Sequence, residues 1–330
     1  MRRRRMLQAT LGAGAMLAAG GVHALRYDGE LEWRRRALVG FGTILSLQAG
    51  HADARVLERA LDAAVARLQS IERELSLFRP DSAICRLNRD GRLDDPPADL
   101  REVLAIAQEI SRASEGAFDV TVQPLWQAWA GGAAEGRLPD AGELRAARAR
   151  VGWRDVVVDR QGVRFAHPGM GITLNGIAQG HAADMVRGVL LDHGVVDALV
   201  DAGEFAPAGL DAERRAWCLG IADPHDEARF VARLLADGRC MATSADNHTA
   251  FTPDHRHHHI LDPRTGDSPP GLSAVTVAAA RGAVADALTK VFFMAGPQAA
   301  EATARRHGVD AVWVDKEGRV GATPGLRLVA

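Results

Sequence analysis

Three stretches of the sequence hold residue types whose spacing suits chemistry. In Ala285-Asp286-Ala287-Leu288-Thr289-Lys290, helical spacing puts Asp286, Thr289 and Lys290 on one face at i, i+3 and i+4. A carboxylate with a hydroxyl one turn later suits an oxygen-liganded Mg²⁺. A capping or solvated aspartate early in a helix explains the same residues more simply. Leu174-Asn175-Gly176-Ile177-Ala178-Gln179-Gly180-His181 places small residues where a strand runs into a helix. Glycine there lets a ligand approach the backbone, and the first helical N–H groups face an anion. Taken alone it also reads as a tight turn. Arg256-His257-His258-His259 offers imidazoles, but no acid or cysteine stands nearby at ligand spacing. A histidine-rich surface loop is the expectation there.

The elements that must hold these stretches follow from periodicity. Residues 37–48 read as a strand interrupted by Gly42. Val56, Leu57, Ala60, Leu61, Ala64, Val65, Leu68, Ile71 and Leu75 fall on one helical face opposite charges. Further helices are predicted near 98–113, at 141–151 behind the capping pair Asp140 and Glu143, near 177–193 and over 282–295. Hairpins are predicted over 156–165 and 311–320, with strands near 196–200, 216–222 and 273–280. Helices and hairpins are intermixed without regular βαβ alternation. The fold class is therefore α+β with largely antiparallel sheets.

Composition narrows the partners. With 47% hydrophobic and 25% charged residues and a formal net charge of -2, the chain is ordinary globular protein. It has no electrostatic case for nucleic acid. Its three cysteines, Cys85, Cys218 and Cys240, show no zinc spacing. Buried thiols are expected, with a Cys218–Cys240 disulfide left open. Arg2 to Arg5, an apolar stretch through Gly20 and the small-x-small Val22-His23-Ala24 read as a signal peptide over 1–24. The arginines suggest the twin-arginine route and a periplasmic destination. Residues 25–330 then form one unit. No stretch in it reaches the ~18 unbroken apolar residues of a membrane span.

The order of the motifs says more than any one of them. Gly42-Thr43 comes first, then Phe78-Arg79-Pro80-Asp81-Ser82 with Arg86-Leu87-Asn88, and Gly116-Ala117-Phe118-Asp119 running on to Pro124-Leu125. Gly176-Ile177-Ala178-Gln179-Gly180, His259-Ile260-Leu261-Asp262-Pro263-Arg264-Thr265-Gly266, Val275-Thr276-Val277 and Ala285-Asp286-Ala287-Leu288 follow. This series resembles the ApbE family of FAD:protein FMN transferases over about residues 37–325. The resemblance implies an ApbE-like (T-fold-like) fold with FAD in a cleft. Phe41, Phe78, Ala117, Phe118 and Asp119 match FAD-contacting positions, as do Thr173, Gln179, His259 and Ile260. Asp286 and the following turn match the magnesium site, where Thr289 at i+3 would supply the ligand hydroxyl, with Gly176 as a backbone carbonyl ligand.

The reaction so implied moves FMN from FAD to a threonine of a target redox flavoprotein and releases AMP. Mg²⁺ is the second cofactor, and His259 is the candidate to assist the attacking hydroxyl. The target would be an exported or inner-membrane-associated subunit. Two departures stand out: the family commonly has Asp, Gly and Lys where this chain has Thr173, Asn175 and Gln179. A threonine ligand commonly sits four residues after the aspartate, where this chain has Lys290. A non-catalytic flavin-binding accessory protein and an FAD pyrophosphatase are the competing readings.

Overall fold

The computed structural model describes residues 25–26 and 31–329. The expected signal peptide over 1–24 lies outside the described residues. The first elements are β1 (Leu25–Arg26), β2 (Glu32–Gly40), β3 (Thr43–His51), α1 (Ala54–Leu75), α2 (Ala83–Asp90), β4 (Arg92–Asp94) and α3 (Ala98–Ala113). Next are α4 (Gln123–Ala134), α5 (Ala141–Arg148), β5 (Val156–Asp159), β6 (Gly162–Phe165), α6 (Ala178–Asp192), β7 (Asp197–Asp201) and β8 (Phe205–Ala208). Then come β9 (Cys218–Asp223), β10 (Asp226–Leu235), β11 (Cys240–Ala245), β12 (Leu272–Ala279) and α7 (Gly282–Ala295). The last are α8 (Ala300–His307), β13 (Asp310–Asp315), β14 (Val320–Ala322) and β15 (Leu328–Val329).

The main sheet has nine strands in the order β1-β2-β3-β7-β8-β11-β12-β13-β14. All of its pairings are antiparallel, so the α+β class expected from the sequence is the one observed. β12 is buried along its whole length, which is why it lacks the alternation of a half-solvated strand. One face of the sheet is covered by α1, α6 and α7. The apolar face of α1 (Leu57, Ala60, Leu61, Ala64, Leu68, Ile71, Leu75) is buried as its spacing predicts. A three-stranded sheet, β15-β10-β9, carries a second cluster in which Trp33 meets Trp217 edge-on at 5.9 Å. A third sheet, β4-β6-β5, contains the hairpin expected over 156–165. Asp140 and Glu143 form the predicted capping box. No helix of the described residues is long and apolar enough to cross a membrane.

The structure corrects the reading of Gly42. It does not interrupt a strand; with Phe41 it turns the β2–β3 hairpin. Both turn residues have positive φ, 51° at Phe41 and 79° at Gly42, the sign a two-residue hairpin turn demands. The apolar run across 37–48 hid this turn because one of its two central residues is a phenylalanine, an uncommon occupant of that backbone region.

Candidate active site

Two helices cross where the glycine-rich segment meets the aspartate segment. A Cβ on Gly180 would collide with the carbonyl of Gly282, and one on Gly282 with the carbonyl of Gly180. The crossing of α6 and α7 therefore depends on both residues lacking side chains. Asp184, one turn further along α6, caps α7. It accepts from the N–H groups of Gly282 at 2.7 Å and Ala283 at 3.1 Å. This supplies the cap that Arg281, at the N-cap position, does not give.

The same crossing holds Asp286 in place. Its side chain is 1% exposed, and its Oδ2 accepts from the Gly180 N–H at 3.2 Å. Lys290, one turn along, donates from Nζ to Asp286 Oδ1 at 2.5 Å and to the Asp286 carbonyl at 3.1 Å. The lysine stem lies against Gly176, where a Cβ would come within 2.8 Å of Lys290 Cε. Gln179 lies over Gly203, whose φ of 92° and close approach to that amide both require glycine. Glu204 follows it, buried and accepting from the Thr243 N–H at 2.9 Å. Burial first, then the negative charge of Asp286, pushes the Glu204 carboxyl well above its usual range. His259 feels the charge of Lys290 from the other side. Burial, then His248 and Lys290, lower its pKa to about 4, so the ring is neutral near pH 7. Its Nδ1 lies 3.3 Å from the Thr249 carbonyl. Donation there leaves the lone pair of Nε2 as the free acceptor.

The remaining expected positions lie in the β2–β3 turn region, the loop before α4 and the main core. The Phe78 ring lies against Gly42 and is 59% exposed, while Phe41 is buried and its N–H donates to Glu72 at 3.1 Å. Ala117 packs at the edge of the main core. Phe118 and Ile260 are inside that core, so any ligand contact there falls to the backbone. Asp119 uses both carboxylate oxygens within the protein. Oδ1 accepts from the Thr121 N–H and hydroxyl at 2.7 and 2.5 Å, and Oδ2 from the Trp153 N–H at 3.0 Å. Thr173 joins this loop to the glycine-rich segment through its N–H, which donates to the Val120 carbonyl at 2.8 Å.

Three expectations need correction. Thr289 does not face Asp286's carboxylate. Its hydroxyl donates to the Asp286 carbonyl at 2.6 Å and meets Ser244 Oγ on β11 at 2.7 Å. One hydrogen serves the carbonyl, so Ser244 is the donor between the two hydroxyls. Residue i+3 is rotated toward the sheet, and only i+4 reaches the carboxylate. The histidine run is not a surface loop throughout: His258 is fully buried, with its ring 5.8 Å from Phe293. The thiols are not all buried: Cys218 is exposed on β9, Cys85 is half-buried and only Cys240 on β11 is buried, and all three are free, so the disulfide left open does not form.

The two side chains expected to hold Mg²⁺, Asp286 and Thr289, are therefore already engaged. Asp286 has a lysine on one oxygen and a backbone N–H on the other, Thr289 points to Ser244, and Lys290 stands beside Gly176. This set does not fit a divalent metal. Among the described residues, Asp99, Glu102 and His181 also bring ligand atoms within 4.8 Å of one another. Arg67 takes Asp99 with two bonds of 2.5 and 2.6 Å, His181 takes it at 2.9 Å, and Glu102 pairs with Arg281 at 2.7 Å. That group is a polar network, buried at Asp99 and His181 and exposed at Glu102 and Arg281. Sequence reasoning missed Ser244, a cross-strand neighbour that leaves no periodic signal, and His248, which lies in the turn after β11. The i, i+4 spacing of Asp286 and Lys290 was the clue to their pairing.

The comparisons with known proteins bear on the sequence and the fold as a whole. The sequence pattern of the ApbE family is matched over residues 41–313. The FAD:protein FMN transferase of Treponema pallidum is 31% identical over 319 residues, covering 89% of this chain and 88% of that protein. The protein of the same name from Salmonella typhimurium is 29% identical over 256 residues, covering 74% of this chain and 73% of its own. Among solved structures, the apo flavinyl transferase ApbE of Pseudomonas stutzeri superposes with a TM-score of 0.76 at 28% identity, covering 89% of this chain and 95% of that one. The ApbE protein of Thermotoga maritima gives 0.78 at 25% identity, covering 88% and 97%. With sequence pattern, relatives and fold in agreement over most of its length, the chain belongs to the ApbE family.

Proposed function

We propose that this chain transfers FMN from FAD to a target protein. The observation that carries the reading is convergence: Gly176, Gln179, Gly203 with Glu204, His259 and the Asp286–Lys290 pair come from distant parts of the sequence to one place. The relatives that span most of the chain are FAD:protein FMN transferases. FAD is the flavin donor, held by the positions matched at Phe41, Phe78, Ala117 to Asp119, Thr173, Gln179, His259 and Ile260.

The acceptor is a threonine hydroxyl of a redox flavoprotein. Its oxygen bonds to the phosphorus of the FMN half, the bridging P–O bond breaks, and its electrons leave with AMP. The hydroxyl proton passes to Nε2 of His259, the free acceptor of a neutral ring, and from there to water. The chain's own residues supply position and charge: the backbone at Gly176 admits the diphosphate, the start of α6 contributes partial positive charge, and Lys290 an ammonium. Magnesium receives no role, since Asp286 and Thr289, its expected side-chain donors, are engaged within the protein.

Incubation with FAD and a candidate acceptor tests the reading. Covalent flavin fluorescence on the acceptor, surviving denaturation, is the expected result. Release of FMN and AMP without any acceptor would instead favour an FAD pyrophosphatase, and bound, unaltered FAD an accessory flavin protein. The Arg2–Arg5 segment also supports export by the twin-arginine route, with the target on the periplasmic side or at the inner membrane. Recovery of the chain only in the cytoplasmic fraction of expressing cells would remove that part of the reading.

A further inference from the structure

We infer that Lys290 is the built-in cation of this cleft, so that the protein binds FAD through a tethered ammonium and needs no divalent metal. The inference rests on the functional reading above and concerns the same site.

Three observations carry it. First, the ammonium is placed by the fold. Asp286 Oδ1 and the Asp286 carbonyl accept from it, and its stem is packed on Gly176. An ammonium has three N–H donors. Two are engaged by Asp286, and the third has no protein acceptor among the described residues. Second, the lysine side chain remains 19% exposed while its partner is 1% exposed, so a ligand reaching this pair meets the lysine before the carboxylate. The lysine stands beside Gly176, in the glycine-rich segment that leads into α6. Third, the hydroxyl that would complete an oxygen site for a metal is turned away, closing a bond network with Ser244 on β11.

Charge counting sets how strong the effect is. A divalent ion on Asp286 would leave the pair with one net positive charge, whereas Lys290 on Asp286 leaves none. The ammonium therefore acts at short range, as one charge-assisted hydrogen bond to a diphosphate oxygen, and not as a wide positive field. The consequence is modest affinity for FAD that does not respond to Mg²⁺. Replacement of Lys290 by threonine removes the internal cation and restores a hydroxyl at i+4 from Asp286. That variant gains a use for the metal.

The experiment measures FAD binding by flavin fluorescence, separately from transfer, in EDTA and then across a Mg²⁺ titration. For the wild-type protein the dissociation constants with and without Mg²⁺ agree within about twofold. Lys290→Thr loses about tenfold or more in EDTA and recovers on adding Mg²⁺. Lys290→Arg keeps the charge and stays independent of the metal, which separates charge from folding. Calorimetry with Mg²⁺ alone gives heat with Lys290→Thr and none with wild type. Wild-type protein that binds FAD only with Mg²⁺, or that takes up Mg²⁺ stoichiometrically, overturns the inference and leaves the transferase reading standing. Failure to bind FAD under either condition removes both.

Discussion

His258 shows how one side chain can set a property of the whole protein. It is fully buried against Phe293, and its Nδ1 accepts from the Ile260 N–H at 3.3 Å. Its Nε2 has no partner. Burial, then the charges of His259 and Lys316, lower its pKa to about 3. An unfolded histidine takes up its proton near ~6.5. Between these two values the unfolded chain binds more protons than the folded one, so stability rises with pH across that window. The contribution is fully present above pH ~6.5 and is lost as pH falls toward ~3. A tenfold loss of proton affinity on folding is worth about 1.4 kcal/mol, so the whole effect is on the order of a few kcal/mol. Carboxylates titrate in the same range, and a variant is needed to isolate the histidine. His258→Asn keeps an acceptor near the Ile260 N–H and has no proton to gain. Denaturant melts at neutral and at mildly acid pH (about 7 and about 4, either side of the histidine's unfolded value) should show a smaller acid loss for His258→Asn than for wild type. Equal losses would mean that the ring is not held neutral in the folded state.

At the scale of elements, the crossing of α6 and α7 is what gives the site its shape. Gly180 and Gly188 lie on the same helix but in opposite circumstances. A Cβ at position 180 meets the Gly282 backbone, while one at 188 meets nothing within 4 Å. Gly180→Ala should cost about 1–3 kcal/mol from overpacking, or more, since the obstacle is backbone that cannot rotate away. It should also weaken FAD binding, because Asp286 Oδ2 accepts from the N–H of this residue. Gly188→Ala should stabilise by about 0.5–1 kcal/mol from helix propensity alone. Thermal melts of the two variants check the pair of signs, and a stable Gly180→Ala protein would mean that the helices can separate freely. Much of this level was legible in the sequence. Helix α3, the 156–165 hairpin, α7 and the capping box at Asp140 follow from strong periodicity or from a local side-chain signal. The short helices α2, α4 and α8 were not foreseen. α4 carries Pro124 in its first turn, where proline is tolerated, but Gly131 and Gly132 in its second half weaken the local signal for the helix that packing forms.

For the whole molecule, pairing across the sheet carries what the sequence did not reveal. β8 and β11 are short strands without clear alternation, yet they link the two halves of the main sheet and place Glu204 and Ser244 at the site. The family motifs showed which segments matter; the contacts between segments required the fold. The cysteines report on that fold as a unit. Cys240 is buried on β11, and its thiol lies 3.2 Å from Asp184 of α6. Burial, then the charge of Asp184, pushes this thiol up to about 12. To react, it must be uncovered by parting α6 from the sheet, a motion that also breaks the cap on α7 and the crossing that shapes the cleft. Cys218 is exposed on β9 and needs no such opening. A thiol reagent at about pH 8, near the ordinary cysteine range, should therefore label Cys218 at once. Cys240 should follow more slowly by about a thousandfold or more, at a rate set by the stability of the folded state. Mild denaturant should accelerate Cys240 and leave Cys218 unchanged, as peptide mapping of the labelled protein would show. If Cys240 reacts as fast as Cys218 in native buffer, α6 and the sheet separate locally, and the lysine–aspartate pair has no rigid frame to hold it.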